Sequence, residues 1–286
     1  MAAVTDVAPT PDVGAGGSEA AHPLLVVDQI TIGFGGVLAL DEVSMSVRDR
    51  EVVGVIGPNG AGKTTLFNVI SGFVHPSSGT LTYRGAVLRR HHPHDLAKLG
   101  IARTLQGIGL CPGLTVHENV MLGAEPTLHS DLASSFLGIW RSSREERRVG
   151  ARAMTLLDEL GAATYAHRLP AALPYAIQKR TALARALMAE PRLLLLDEPA
   201  SGLSEDEMDA LGTRIRSLAG RMSVLLVEHH MDLVMSVCDR LVVLNFGQVI
   251  AEGTPAVIRS DPEVAVAYLG DPVDTDETPG PGSDDA

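Results

Sequence analysis

The sequence is poor in cysteine, with two in 286 residues, Cys111 and Cys238, far apart and in no CxxC pair. Two reduced thiols are therefore expected. Long apolar runs are also missing: no stretch approaches the ~18 residues that a membrane-spanning helix needs. The N-terminus has no basic segment leading into an apolar one, so no secretory signal is expected, and the chain is expected to stay in the cytoplasm. Positive charge is scarce. Lys and Arg number 23 against 35 acids, a formal net charge of −12. Residues 1–22 carry Asp6, Asp12 and Glu19 and no Lys or Arg; residues 271–286 carry Asp271, Asp274, Asp276, Glu277, Asp284 and Asp285 and no base. Nine of the twelve net charges thus sit at the two ends. What remains offers no electrostatic footprint for nucleic acid, and no nucleic-acid partner is expected. No internal repeat is visible.

What is there is apolar and ordered in blocks. Apolar residues make up 45% of the chain, and its length is ample for a core. Residues 1–22, rich in Ala, Gly, Pro and Thr, read as a disordered extension, and residues 271–286 as a disordered acidic tail. Residues 23–270 read as one ordered unit. "LLVVDQITIGF", "VSMSVRD" and "EVVGVIG" have the β-branched character of strands. "KTTLFNVISGF" has helical spacing, with Leu66, Val69 and Ile70 on one side. From Thr127 to about Leu160 the pattern is mostly helical. "RLLLLDE" and "SVLLVEH" are near-continuous apolar runs, as in strands buried on both faces, and "RLVVLNFG" follows as a further strand. Strands alternating with helices predict an α/β core, with a helical subdomain inserted at about residues 107–175.

"GPNGAGKTT", Gly57 to Thr65, fits G-x-x-x-x-G-K-[ST] and lies between a strand and a helix. Gly57, Gly60 and Gly62 let the backbone curl so that its N–H groups, those of Asn59 and Thr65 included, face an anion. The helix N-terminus adds a positive dipole end. Lys63 is placed to reach nucleotide phosphates and Thr64 to ligate Mg²⁺. "LLLLDEP" sets Asp197 and Glu198 at a buried strand end, suited to Mg²⁺ association and to polarising an attacking water. "LLVEHH" sets His229 at another strand end; for a lone histidine a structural role is the default, and His230 reads as the bland member of the pair. "HHPH" at 91–94 reads as an exposed loop rather than a metal site. Gln106 in "ARTLQ" follows a short apolar strand and reads on its own as an ordinary amide. Phe34 in "FGG" suits stacking on adenine or a place in the core.

The P-loop, "RTLQ", "LPYAIQKR", "LLLLDEP" and "VEHH", in this order, resemble the ATP-binding subunit of ABC transporters over about residues 24–270. "FGGVLALDEVSMSV", "LTVHENVMLGA" and "GQVIAEGTPAVIRSDPEVAVAYLG" look like the branch that energises import of branched-chain amino acids, with relatives serving urea or short amides. The resemblance implies a RecA-like P-loop NTPase core, an antiparallel β-subdomain and a helical subdomain. It implies ATP and Mg²⁺ as cofactors. Transmembrane permease subunits and a second, different ATP-binding chain are the implied partners, and they place the protein on the cytoplasmic face of the inner membrane. Phe34 then resembles the adenine-stacking aromatic, Gln106 the residue that senses metal and couples to the permease, Glu198 the catalytic base and His229 the switch histidine. "SGLS" occupies the D-loop, with Ser204 where many relatives have Asp or Asn. A regulatory subunit with little turnover is the alternative. A soluble cassette acting on ribosomes or DNA fits less well, since the chain has one ATPase half and no basic patch.

"LPYAIQ" stands where the family signature reads L-S-G-G-Q. Pro174, Tyr175 and Ala176 then face the partner's γ-phosphate, and Pro174 brings no hydroxyl. If the backbone at Ala176 is left-handed, the methyl group costs roughly 1 kcal/mol or more; if it is ordinary helix, alanine favours it. A weakened signature is the expectation, with Ala176→Gly raising turnover.

Overall fold

The structure is a computed structural model that describes residues 23–104, 108–127 and 142–269. In chain order its elements are β1 (Leu25–Phe34), β2 (Val37–Val47), β3 (Val52–Ile56), α1 (Lys63–Ile70), β4 (Ser78–Tyr83), β5 (Ala86–Val87), α2 (Leu96–Leu99), β6 (Ile101–Thr104), α3 (Val116–Met121), α4 (Ser142–Glu159), α5 (Tyr175–Leu187), β7 (Leu193–Asp197), α6 (Glu205–Ala219), β8 (Ser223–Val227), α7 (Met231–Val237), β9 (Arg240–Asn245), β10 (Gln248–Gly253), α8 (Pro255–Arg259) and α9 (Pro262–Leu269). No helix among the described residues is long and apolar enough to cross a membrane.

The apolar runs explain the central sheet. Its order is β10-β9-β3-β8-β7-β6, parallel from β9 to β6 and antiparallel at the β10 edge. Side chains alternate across each strand, so a run without polar residues feeds two cores at once. Leu194, Leu196, Val224, Leu226, Leu241 and Val243 join one core with the helical layer. Leu193, Leu195, Leu225, Val227, Val242 and Leu244 join the other, shared with α1 and the second sheet. That second sheet is antiparallel, order β2-β1-β4-β5. Its long β1–β2 hairpin extends the short strand expected at "VSMSVRD" back to Val37.

In the helical layer α5 packs on α3 and α4. Val116, Val120, Leu156, Leu157, Leu183 and Leu187 form its interior. The helical pattern expected from Thr127 appears as α4 from Ser142 to Glu159; residues 128–141 lie outside the described residues, as do residues 1–22 and 270–286.

Candidate active site

Strands β3, β8 and β7 are neighbours, and each motif follows one of them: the Gly57 loop after β3, Asp197-Glu198 at the end of β7, Glu228 to His230 after β8. The carboxyl ends of parallel strands are where an open α/β sheet binds ligands.

The glycine loop is forced by close approach. Gly57 has φ 147°, and a Cβ there would lie 2.0 Å from the Leu244 carbonyl oxygen; Gly62, at φ 103°, would meet Ala39 O at 2.5 Å. Lys63 opens α1, and its buried ammonium donates to Gly57 O at 2.6 Å and Pro58 O at 2.8 Å. Burial lowers its pKa, and the charge of Glu198 acts against that shift. Asn59, Gly60 and Thr64 are exposed along the loop's rim and Thr65 is half-buried. Phe34 ends β1 at 53% exposure, so it is not in the core.

Asp197 is buried, and its Oδ2 accepts from Arg103 Nη2 at 2.8 Å. Its Oδ1 is buried with no hydrogen-bond partner among the described residues. An orphaned carboxylate oxygen beside a phosphate loop suits a hard cation with oxygen ligands, so the residues fit Mg²⁺. Arg103 escaped the sequence reading. It also donates to Asn68 Oδ1 at 2.9 Å and Ser71 Oγ at 3.0 Å, which ties the acid to α1. Its signal was a charge on a short strand, three residues before Gln106. Gln106 itself lies outside the described residues.

Glu198 has φ 46°, left-handed for a residue with a side chain. Its N–H donates to Val227 O at 2.9 Å, fixing the strand end against β8. Beyond β8, Glu228 is fully buried and was also missed. Its Oε2 lies 3.0 Å from His230 Nδ1 and 3.8 Å from His229 Nδ1. His230, read as the bland histidine, is therefore the anchored one, while His229 is half-exposed and freer to swing. These three groups lie within 4.8 Å of one another. Backbone N–H donors already fill the carboxylate, so the arrangement is a hydrogen-bond hub. At 91–94, His91 bonds Ile70 O at 2.8 Å, and His92 and His94 stack on the surface in a short turn around Pro93.

The altered signature opens α5. Pro174 caps it at φ −53° and its carbonyl accepts from Ile177 and Gln178, so the N–H groups of Tyr175 and Ala176 have no intrahelical acceptor. Ala176 is helical and absent from the positive-φ residues. The strain cost set out above does not arise, which corrects the reason for expecting a weakened signature. Ile177, where the family signature has Gln, is buried in the helical core. The exposed Tyr175 ring rests on Gly202, where a Cβ would lie 3.1 Å away.

A family profile described as "ABC transporter" matches residues 40–201, and one described as "Branched-chain amino acid ATP-binding cassette transporter" matches residues 248–274. The chain belongs to the ATP-binding cassettes of ABC transporters. The cassette is a nucleotide-binding ATPase subunit that drives transport. It is 40% identical over 252 residues to the "High-affinity branched-chain amino acid transport ATP-binding protein LivG" of Salmonella typhimurium, covering 87% of this chain and 99% of the relative. Identity to the protein of the same description, BraF, of Pseudomonas aeruginosa is 39% at the same coverage. Among solved structures, the ADP conformation of MJ1267, an ATP-binding cassette of an ABC transporter, superposes with a TM-score of 0.75 at 32% identity, covering 87% of this cassette and 99% of that chain.

Proposed function

We propose that this cassette powers import of branched-chain amino acids, or of a related small polar solute such as urea or an amide. It would sit on the cytoplasmic face of the membrane through permease subunits, paired with a second ATP-binding chain. The observation that carries this reading is the likeness to branched-chain amino acid transport ATP-binding proteins along 99% of their length.

In this reading the Gly57 loop wraps the phosphates. Lys63 leaves the carbonyls of Gly57 and Pro58 for the β- and γ-phosphates, and Phe34 covers the adenine. Thr64, Asp197 and Gln106 hold Mg²⁺, which when bound neutralises charge on the phosphates. Glu198 takes the proton of the attacking water and His229 orients it. The free N–H groups of Tyr175 and Ala176, with the α5 dipole, face the nucleotide held by the partner's P-loop. A regulatory subunit that closes without turnover is not favoured: Lys63, Asp197, Glu198 and His229 are all present, and α5 is unstrained at Ala176.

ATPase activity of the reconstituted complex, wild type beside Glu198→Gln, tests the assignment. Turnover should fall by about 10²–10⁴-fold with ATP binding retained. An equal rate in both would remove Glu198 from its role. Uptake of leucine, urea and acetamide into proteoliposomes containing the binding protein identifies the solute.

A further inference from the structure

Two charged side chains to which the sequence reading gave no role, Lys179 in "LPYAIQKR" and Glu228 in "VEHH", converge on residues 198–200. From α5, Lys179 Nζ donates to the carbonyls of Glu198 at 3.1 Å and Pro199 at 2.9 Å. From the end of β8, Glu228 Oε1 accepts from Ala200 N–H at 2.6 Å. The other oxygen, Oε2, takes His229 N–H at 3.0 Å, His230 N–H at 3.4 Å and His230 Nδ1 at 3.0 Å. The base segment is therefore held on one side by the signature helix and on the other by the histidine loop.

Physical chemistry makes both holds significant. Burying a carboxylate is costly unless its oxygens accept hydrogen bonds, and here the donors come from two loops that it must keep together. Glu198 sits in a backbone region that side chains disfavour, and such a residue stays there only when its surroundings over-determine it. Lys179 is stiffened in turn. The Tyr175 ring lies 5.4 Å from its ammonium, and that ring also rests on Gly202. Burial lowers the lysine pKa, while the charges of Glu228 and Glu198 act to raise it.

We propose that Lys179 and Glu228 are positioning residues that clamp residues 198–200, so that the catalytic base and His229 move with the helix facing the partner's nucleotide. The proposal rests on the ATPase reading above and deepens it. It makes a helix that serves the partner's site a mechanical support for the base of its own.

The test is a double-mutant cycle on the ATPase of the reconstituted complex, with Lys179→Met, Glu228→Gln and their combination, alongside Lys179→Arg and Glu198→Gln. Lys179→Met should lower kcat by about 10–100-fold, the scale of a misplaced catalytic group. The KM for ATP and ATP binding by the isolated chain should stay near wild type. Lys179→Arg should restore most of the rate, and the double variant should be no slower than the slower single one. Wild-type kcat in Lys179→Met, or losses that simply multiply in the double variant, would overturn the clamp. Lys179 is only partly buried, so its variant carries the decision even if Glu228→Gln fails to fold. If Glu198→Gln itself retains full turnover, the assignment of Glu198 as the base fails and the clamp loses what it positions; if Glu198→Gln is inactive and Lys179→Met is fully active, only the clamp fails.

Discussion

Ala176 carries a methyl group where the family signature has glycine, and its right-handed helical backbone lets it do so without strain. Reversion should therefore gain nothing. Ala176→Gly loses up to about 1 kcal/mol of helix propensity, and the ATPase rate of the reconstituted complex should stay level or fall. A several-fold rise would show that the methyl group itself obstructs the partner's nucleotide. The wider pattern at this scale is that residues working through their immediate neighbours are legible in sequence. Gly57 and Gly62 announce a tight loop, and Lys63 follows them. Arg103 and Glu228 stayed hidden because their meaning lies in partners 94 and 28 positions away, at Asp197 and Ala200. A buried charge looks like any other charge until its partner is known.

Helix α6 begins directly after the D-loop, and Ser204 is its cap. Ser204 and Glu207 form a capping box, with the Ser204 N–H donating to Glu207 Oε2 at 3.0 Å. That gives the D-loop serine a structural task that Asp or Asn also performs. Ser204→Ala should cost about 1 kcal/mol and lower the melting temperature by a few degrees, while Ser204→Asp should melt near wild type. Differential scanning calorimetry of the purified chain reads both. Among the strands, β7, β8 and β9 were legible because continuous apolar runs of that length suit little else. β4 and β10 were not. "SGTLTY" and "QVIAEG" mix polar residues with glycine, and β10 is half-exposed at a sheet edge. Each is a strand because a stronger neighbour, β1 or β9, offers it a ladder.

Besides their shared apolar core, the two sheets are tied by a charge cluster. Glu51, just ahead of β3, accepts from Arg48 N–H at 2.7 Å and from Arg240 Nε and Nη2 at 2.8 and 3.0 Å. Arg240 also donates to Ser46 O on β2 at 2.6 Å and pairs with Glu252 on β10. Burial pushes the Glu51 carboxyl up, but the Arg240 hydrogen bonds and charge, with the Arg48 N–H, bring it below the ordinary value. A carboxyl with a lowered folded pKa contributes stability above its unfolded pKa and loses it as pH falls through the folded one. Glu51→Gln should therefore destabilise the chain at pH 7, and the gap to wild type should narrow as pH falls below ~4. Urea titrations at pH 7 and in acid measure it; a gap that stays constant would remove the pair from acid stability. At this scale the α/β alternation foretold the parallel sheet, whereas the β-subdomain came from family resemblance alone, since its strands lack buried runs.

The central position of β3 has a consequence in time. Its neighbours are β8 and β9, and Arg50, just ahead of it, hydrogen-bonds Ser223 across 173 positions. At about 5–20 residues per second, a ribosome needs roughly 10–35 s to supply those partners after β3 emerges. For that interval "VVGVI" is an unpaired apolar strand, and the phosphate loop after it lacks the Leu244 carbonyl it rests against. A nascent cassette should thus bind no ATP until β9 is out, and it should depend on chaperones through most of its synthesis.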